Sequence, residues 1–415
     1  MRRVLANVVV LCVALTIGLL LGEGGARLVL NPADFLSVTT IRDDVLGIRV
    51  APGTAGFDEW GFRNPRVPAA ADIVAIGDSH TYGNNATMSE SWPYVVGRLT
   101  GKSVYNLALG GYGPNQYFQL LQTRAVKLRP RWVVCGLYMG DDFENAFLMS
   151  YGKAYWAGLR SDLRTAVDAD IWNATDESCA SSPSCPRPWH RRARAWLSQY
   201  SVIYQLVVHG SMLGQLKGTL QIRDAARRAD DRTTSLTVAE AGIEEAFRPV
   251  GIRDRLDQRS AAVREGMRIT FELLGRMAQT CHAHGCRLII ALIPTKETVF
   301  AEYVTRDPRL HLRDVVRDLV TQEARAKARL VGFLDRAGIA YVDTLPALRG
   351  KVADRLYTRS DGDMHPNKNG YRIIGEAVAE FIERDQRAAS EREIRSAQGP
   401  SPDGEPRPLT DRPHR

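Results

Sequence analysis

Among its 415 residues the chain has no glycine-rich phosphate loop, no internal repeat and no nucleic-acid-binding motif. The first absence excludes the backbone cradle that nucleotide-binding enzymes set at a helix start. The second excludes solenoids and propellers, and the third leaves the positive charge balance without a nucleic-acid partner. Lys and Arg total 55 and Asp and Glu 47, a net charge of +8, with arginines scattered through helical stretches as solvated faces. Cysteine is scarce, with six residues. Cys12 lies in an apolar run and Cys135 in a core-strand pattern, where a thiol behaves as a small apolar group. Cys179 and Cys185 bracket a turn-rich Ala-Ser-Ser-Pro-Ser that can close into a disulfide, which fits an oxidising compartment. Cys281-His282-Ala283-His284-Gly285-Cys286 has zinc-ligand chemistry, but it reads better as a helix end, with Gly285 as left-handed cap and a strand from Arg287. A disulfide or free thiols there rank ahead of a metal, and neither metal nor cofactor is expected.

What is present is a folded composition, 44% hydrophobic and 25% charged, long enough for one large domain. Arg2 and Arg3 precede an apolar run from Val4 to Leu21, which as a helix spans roughly 27 Å and nearly fills a bilayer. The leading charges favour a cytoplasmic amino terminus and an extracytoplasmic remainder. The run is long for a signal peptide and its cleavage candidates around Glu23 are poor, so residues 1–30 are expected to be an uncleaved signal anchor. Residues 31–385 form the expected main domain, with a helical cap insertion over about 143–257, and residues 386–415 a disordered tail. Residues 226–236 read as a polar loop. Trp172, Trp189, Trp196 and Tyr200 of the insertion could stack on sugars, but their helical spacing favours core positions.

Strand and helix alternate along the main domain, with strands expected near 72–77, 103–108, 132–138, 287–293 and 339–343. Helices are expected near 91–100, 114–127, 258–284, 308–337 and 368–385. This is the pattern of a parallel sheet covered on both faces. Ser79, Gly111 and Asp141 each follow a strand, at the sheet edge where open α/β folds bind ligands. Ser79, in Ile76-Gly77-Asp78-Ser79-His80, sits in a sharp strand-to-helix turn that exposes a nucleophile. The N–H groups after it can face an oxyanion. Far down the chain, Asp361-Gly362-Asp363-Met364-His365-Pro366-Asn367 precedes an amphipathic run and offers an imidazole base with a carboxylate to orient it.

These blocks together resemble the SGNH (GDSL-like) hydrolase superfamily. Gly77-Asp78-Ser79 is similar to its nucleophile block, and Asn106-Leu107-Ala108-Leu109-Gly110-Gly111 to its second block. The resemblance implies a flavodoxin-like three-layer α/β sandwich and a Ser79-His365-Asp363 triad, with Asp361 as the alternative orienter. The Asp-x-His spacing resembles the membrane-associated alginate-type O-acetyltransferase branch, as do Trp60-Gly61-Phe62-Arg63-Asn64 and Ile293-Pro294-Thr295-Lys296. The implied oxyanion hole is the Ser79 and Gly111 N–H groups with Asp141, where the superfamily usually has asparagine. An ionised Asp141 would repel an oxyanion, so it must be protonated or replaced by Asn145. Arg63 and Lys296 could meet an anionic substrate or carboxylate, although strand-capping and surface roles are commoner. The implied activity is a serine esterase or O-acyl transferase on an envelope or secreted glycan. Its partners would be the acyl-ester or glycan substrate, the membrane through the N-terminal helix, and a membrane acyl-donor protein. An inactive glycan-binding protein and a lipase or thioesterase are the alternatives.

Overall fold

A computed structural model describes residues 2–161, 189–210, 234–238, 243–306, 308, 310–358 and 363–397. Five parallel strands form the central sheet: β3 (Ile73–Gly77), β4 (Val104–Ala108), β5 (Trp132–Tyr138), β8 (Arg287–Ile293) and β9 (Ala340–Asp343). Their spatial order, β4-β3-β5-β8-β9, is the flavodoxin-like order 2-1-3-4-5 when the five are counted along the chain. The strands read as continuous apolar runs because both faces are covered. Alternate residues serve different layers: Ile73, Ala75, Trp132, Val134, Ile289 and Ala291 pack on one side. Val74, Ile76, Val133, Cys135, Ile290 and Leu292 pack on the other.

Helices α3 (Trp92–Thr100) and α14 (Lys368–Ala397) close the first side. The second is closed by α4 (Pro114–Thr123), α5 (Asp142–Gly152), α9 (Ala261–Ala283) and α12 (Arg313–Ala337). Short helices α10 (Lys296–Val299), α11 (Ala301–Arg306) and α13 (Leu345–Arg349) fill the loops after β8 and β9. The helix end at Cys281 to Cys286 forms as expected, with His284 as cap and Gly285 at φ +68°. Cys281 and Cys286 are free thiols there, while Cys179 and Cys185 lie outside the described residues.

Three expectations need correction. Helix α14 continues to Ala397, well past the expected tail boundary at 386, because alanine, arginine and glutamate are good helix formers. The insertion is mixed rather than helical: besides α6 (Trp189–Tyr200), α7 (Val202–Gly210) and α8 (Pro249–Leu256), it has an antiparallel pair, β6 (Thr234–Val238) with β7 (Ile243–Phe247). Residues 234–236, expected in a loop, belong to β6. Finally, Trp189, Trp196 and Tyr200 are 80%, 60% and 51% exposed, where helical spacing predicted core. Trp172 lies outside the described residues.

The N-terminal helix α1 (Arg2–Val29) buries none of its residues and has a mean hydropathy of 2.8 in its most apolar 18-residue stretch. By length and composition it can cross a membrane. A turn at Pro32–Asp34 and a hairpin, β1 (Thr40–Asp43) with β2 (Gly47–Val50), lead from it to the sheet.

Candidate active site

Strand β3 delivers the serine. Asp78 ends the strand as N-cap of the single-turn helix α2 (Ser79–Tyr82), its Oδ1 accepting the His80 N–H at 2.9 Å, and Gly83 closes the turn at φ +88°. Ser79 is the first helical residue, so its N–H has no intrahelical acceptor and is available to a ligand. Gly77 is required by packing: a Cβ there would fall 2.0 Å from Thr81 Oγ1. Thr81 can fold back over the strand ends only because Gly77 and Gly136 lack a Cβ, which at Gly136 would fall 2.2 Å from Thr81 Oγ1.

The loop before α14 delivers the imidazole. Asp363 Oδ1 accepts both the His365 backbone N–H at 2.9 Å and Nδ1 at 2.7 Å. That bond leaves Nε2 2.8 Å from Ser79 Oγ. The second Asp363 oxygen accepts from Asn85 Nδ2 at 2.7 Å. Asn367 fixes the rest of the loop by donating to the Arg355 and Tyr357 carbonyls. Burial pushes the Asp363 carboxyl up, but the His365 hydrogen bonds and charge, with Asn85, outweigh it and hold it well below the usual carboxylate range. Two segments 286 residues apart thus meet in one unbroken chain of hydrogen bonds. Asp361 lies outside the described residues.

The second block lies against the serine: a Cβ on Gly110 would sit 3.7 Å from Ser79 Cβ. Gly111 follows at φ +81°, a left-handed conformation that suits glycine. Asn106 donates to the Thr81 carbonyl at 2.9 Å and accepts from the Ala108 N–H at 3.0 Å, joining the two blocks.

Asp141 and Asp142 follow β5, and their carboxylate oxygens and one of Asp78 lie within 4.8 Å of one another. Asp142 is fully buried and accepts from Tyr117 Oη and the Tyr138 N–H, both at 2.9 Å. Burial and the neighbouring aspartates raise its pKa well above the ordinary value. Asp141 is likewise pushed up, to about 7, by burial and Asp78, against the opposing pull of His80 and Arg255. Its Oδ1 is buried without a hydrogen-bond partner, and Arg255 approaches Oδ2 only to 3.9 Å. Asn145, one turn on, packs under Gly113, whose added Cβ would meet Asn145 Cβ at 2.8 Å.

Several contributors have surroundings that a reading of the sequence does not give. His80 is 1% exposed, pairs through Nδ1 with Asp78 Oδ2 at 3.0 Å, and stacks on Tyr138 with ring centroids 3.8 Å apart. Its ring centre is 4.8 Å from that of His365. Burial lowers its pKa, but the Asp78 charge and hydrogen bond, with Asp141 and the nearby Met364 backbone, raise it overall. Its position directly after Ser79 was the available signal. Arg63 and Lys296 are corrections to the surface-covering expectation, since both are buried and both meet a protein carboxylate. Arg63 donates to the Tyr82, Gly83 and Ala86 carbonyls at the end of α2 and pairs with Asp34 at 3.3 Å. Lys296 pairs with Glu245 of β7 at 2.6 Å and reaches the Asp363 carbonyl at 3.5 Å. Asn85 carried no signal, being 278 residues from its partner.

Comparison with known proteins adds the following. Residues 253–404 match the family described as SGNH hydrolase-like domain, acetyltransferase AlgX; this stretch includes Asp363 and His365 but not Ser79. The probable alginate O-acetylase AlgJ of Pseudomonas putida is 27% identical over 142 residues, which are 34% of this chain and 31% of that protein. The chain therefore matches about a third of that relative's length. Among solved structures, the acetylxylan esterase Axe2 of Geobacillus stearothermophilus is 12% identical at a TM-score of 0.32, over 76% of this chain and 95% of that one. The extracellular lipase of Streptomyces rimosus is 10% identical at 0.33, over 74% and 100%. Both overlaps are too low to bear on function.

Proposed function

We propose that this chain, a protein of the SGNH hydrolase superfamily on its AlgX/AlgJ-like branch, is a membrane-anchored, extracytoplasmic serine enzyme that cleaves or transfers an O-acyl group, acetyl in particular, on an envelope or secreted glycan. The observation that carries the proposal is the 2.8 Å contact of His365 Nε2 with Ser79 Oγ, backed by the 2.7 Å bond from Nδ1 to Asp363. His365 Nε2 takes the serine proton as Oγ bonds to the acyl carbonyl carbon, and the carbonyl π pair moves to oxygen. Asp363, ionised, stabilises the imidazolium and fixes its tautomer. The Ser79 and Gly111 N–H groups receive the oxyanion. Collapse expels the alcohol with the proton from His365, leaving an acyl-serine. Water or a sugar hydroxyl then repeats the sequence in reverse, as esterase or transferase.

Asp141 joins the oxyanion donors as the neutral acid. In this reading α1 anchors the domain. A fluorophosphonate probe tests the reading: the full chain is expected to label at Ser79, with no labelling in Ser79→Ala and at least a hundredfold slower labelling in His365→Ala. The carboxylate at position 141 favours one rival, a glycan-binding protein without turnover. An unlabelled but folded wild-type chain between pH 5 and 8 would select it.

A further inference from the structure

The insertion concentrates exposed apolar surface in one place. Outside α1, eight large apolar side chains are exposed among the described residues, and five of them, Trp189, Trp196, Tyr200, Leu206 and Val207, lie on α6 and α7. Trp189, Trp196 and Tyr200 are spaced seven and four residues apart, so they share one helical face. The rings of Trp196 and Tyr200 are 5.6 Å apart. A stripe of this kind marks an interaction surface rather than ordinary surface scatter. Between the tryptophans the sequence supplies Arg191, Arg192 and Arg194.

The position of the stripe identifies what it meets. Helix α7 starts at the level where the apolar run of α1 stops, two residues beyond Leu21. The Glu23 carboxylate accepts the Val202 and Ile203 N–H groups at 2.9 and 3.1 Å and the Ser201 hydroxyl at 3.0 Å. Arg27 donates to the Tyr200 carbonyl. Gly22 runs so close to α7 that a Cβ there would come within 2.9 Å of Ile203 Cδ1. Indole and phenol rings favour the head-group region, where an apolar body and a polar tip are both satisfied. Arginines in an amphipathic helix complement anionic head groups.

We infer that α6 and α7 form a shelf lying on an anionic lipid surface beside α1, with Trp196 and Tyr200 at head-group depth and the exposed Leu206 and Val207 facing the acyl boundary. The inference rests on the reading that α1 crosses a membrane.

The test uses the full chain in phosphatidylethanolamine–phosphatidylglycerol vesicles whose lipids carry bromine near the head of the acyl chain. Bromine quenches tryptophan fluorescence on contact, and the buried Trp92, Trp132 and Trp156 are out of its reach. Wild-type protein is expected to float with the vesicles and to be quenched. The Trp189→Phe/Trp196→Phe variant is expected to float equally and to lose more than half of that quenching. Flotation with quenching unchanged in the double variant would overturn the shelf and leave the anchor standing. A chain that fails to float would remove the anchor and the shelf together. A shelf held only by apolar contact, without the charge complementarity inferred here, would give equal quenching in phosphatidylcholine vesicles.

Discussion

Asp141 is the residue on which the chemistry of this site turns. Its carboxyl is pushed up to about 7, so the folded chain binds a proton there that the unfolded chain releases near pH 4. The folded state therefore loses stability as pH rises from about 4 to about 7. Replacing Asp141 with asparagine is expected to stabilise the protein at pH 8 and to change nothing near pH 4, as measured by urea unfolding at both values. In catalysis the same substitution is expected to extend kcat/KM above pH 7, where the wild-type acid ionises and ceases to donate. Asp363 has the opposite sign: its lowered pKa contributes stability above about pH 4 that is lost below it. Asp363→Asn is expected to reduce acyl-ester turnover by about 10⁴-fold if the orienting bond works as in other serine triads. A smaller loss there than in Asp361→Asn would reassign the orienter. His80→Phe keeps the stack on Tyr138 but removes the imidazole contact to Asp78 Oδ2, and is expected to slow serine labelling while leaving the far-UV spectrum unchanged. The contact among Ser79, His365 and Asp363 could be expected from sequence because each proposed role needs a residue type in a turn. The partners of His80, Asn85 and Arg63 could not be, since they are brought together only by folding.

Among the elements, the alternation of apolar strands and amphipathic helices was enough to give the sheet and its order of layers. It failed where long-range contacts set the outcome. Lys296 carries no sequence sign of burial, yet it is 1% exposed because β7, a strand inside a predicted helical segment, brings Glu245 to it. Lys296→Met removes the cation facing a buried carboxylate and is expected to cost about 3 to 5 kcal/mol, read from urea unfolding, with part regained in Lys296→Met/Glu245→Gln. Helices α5 and α9 offer a steric counterpart. At Gly266 a Cβ would fall 1.9 Å from the Phe143 carbonyl oxygen, so the two helices cross in backbone contact. Gly266→Ala must push α5 away, and α5 begins at Asp142, directly after Asp141. The expected result is a loss of about 1 to 3 kcal/mol together with lower kcat, whereas Gly332 of α12, where a Cβ would meet only the Arg336 guanidinium at 3.4 Å, would tolerate alanine.

Across the whole molecule, the exit of α1 is joined to the Ser79 turn through two residues. Asp34, just past the helix, accepts from the Met88 N–H at 2.7 Å and pairs with Arg63, which holds the carbonyls at the end of α2. Asp34→Ala is expected to slow fluorophosphonate labelling several-fold while leaving carbonate extraction from membranes unchanged. The contrast between the two measurements distinguishes loosened geometry from a lost anchor. Sequence could not reveal this connection, because Asp34, Arg63 and Met88 are brought together only by folding. A domain borne on a strut rather than a tether is held at a fixed height. If α1 spans the bilayer and the proposed activity holds, the serine cannot patrol the space beyond it, and its acyl substrate must come to one thin layer of lipid-proximal water.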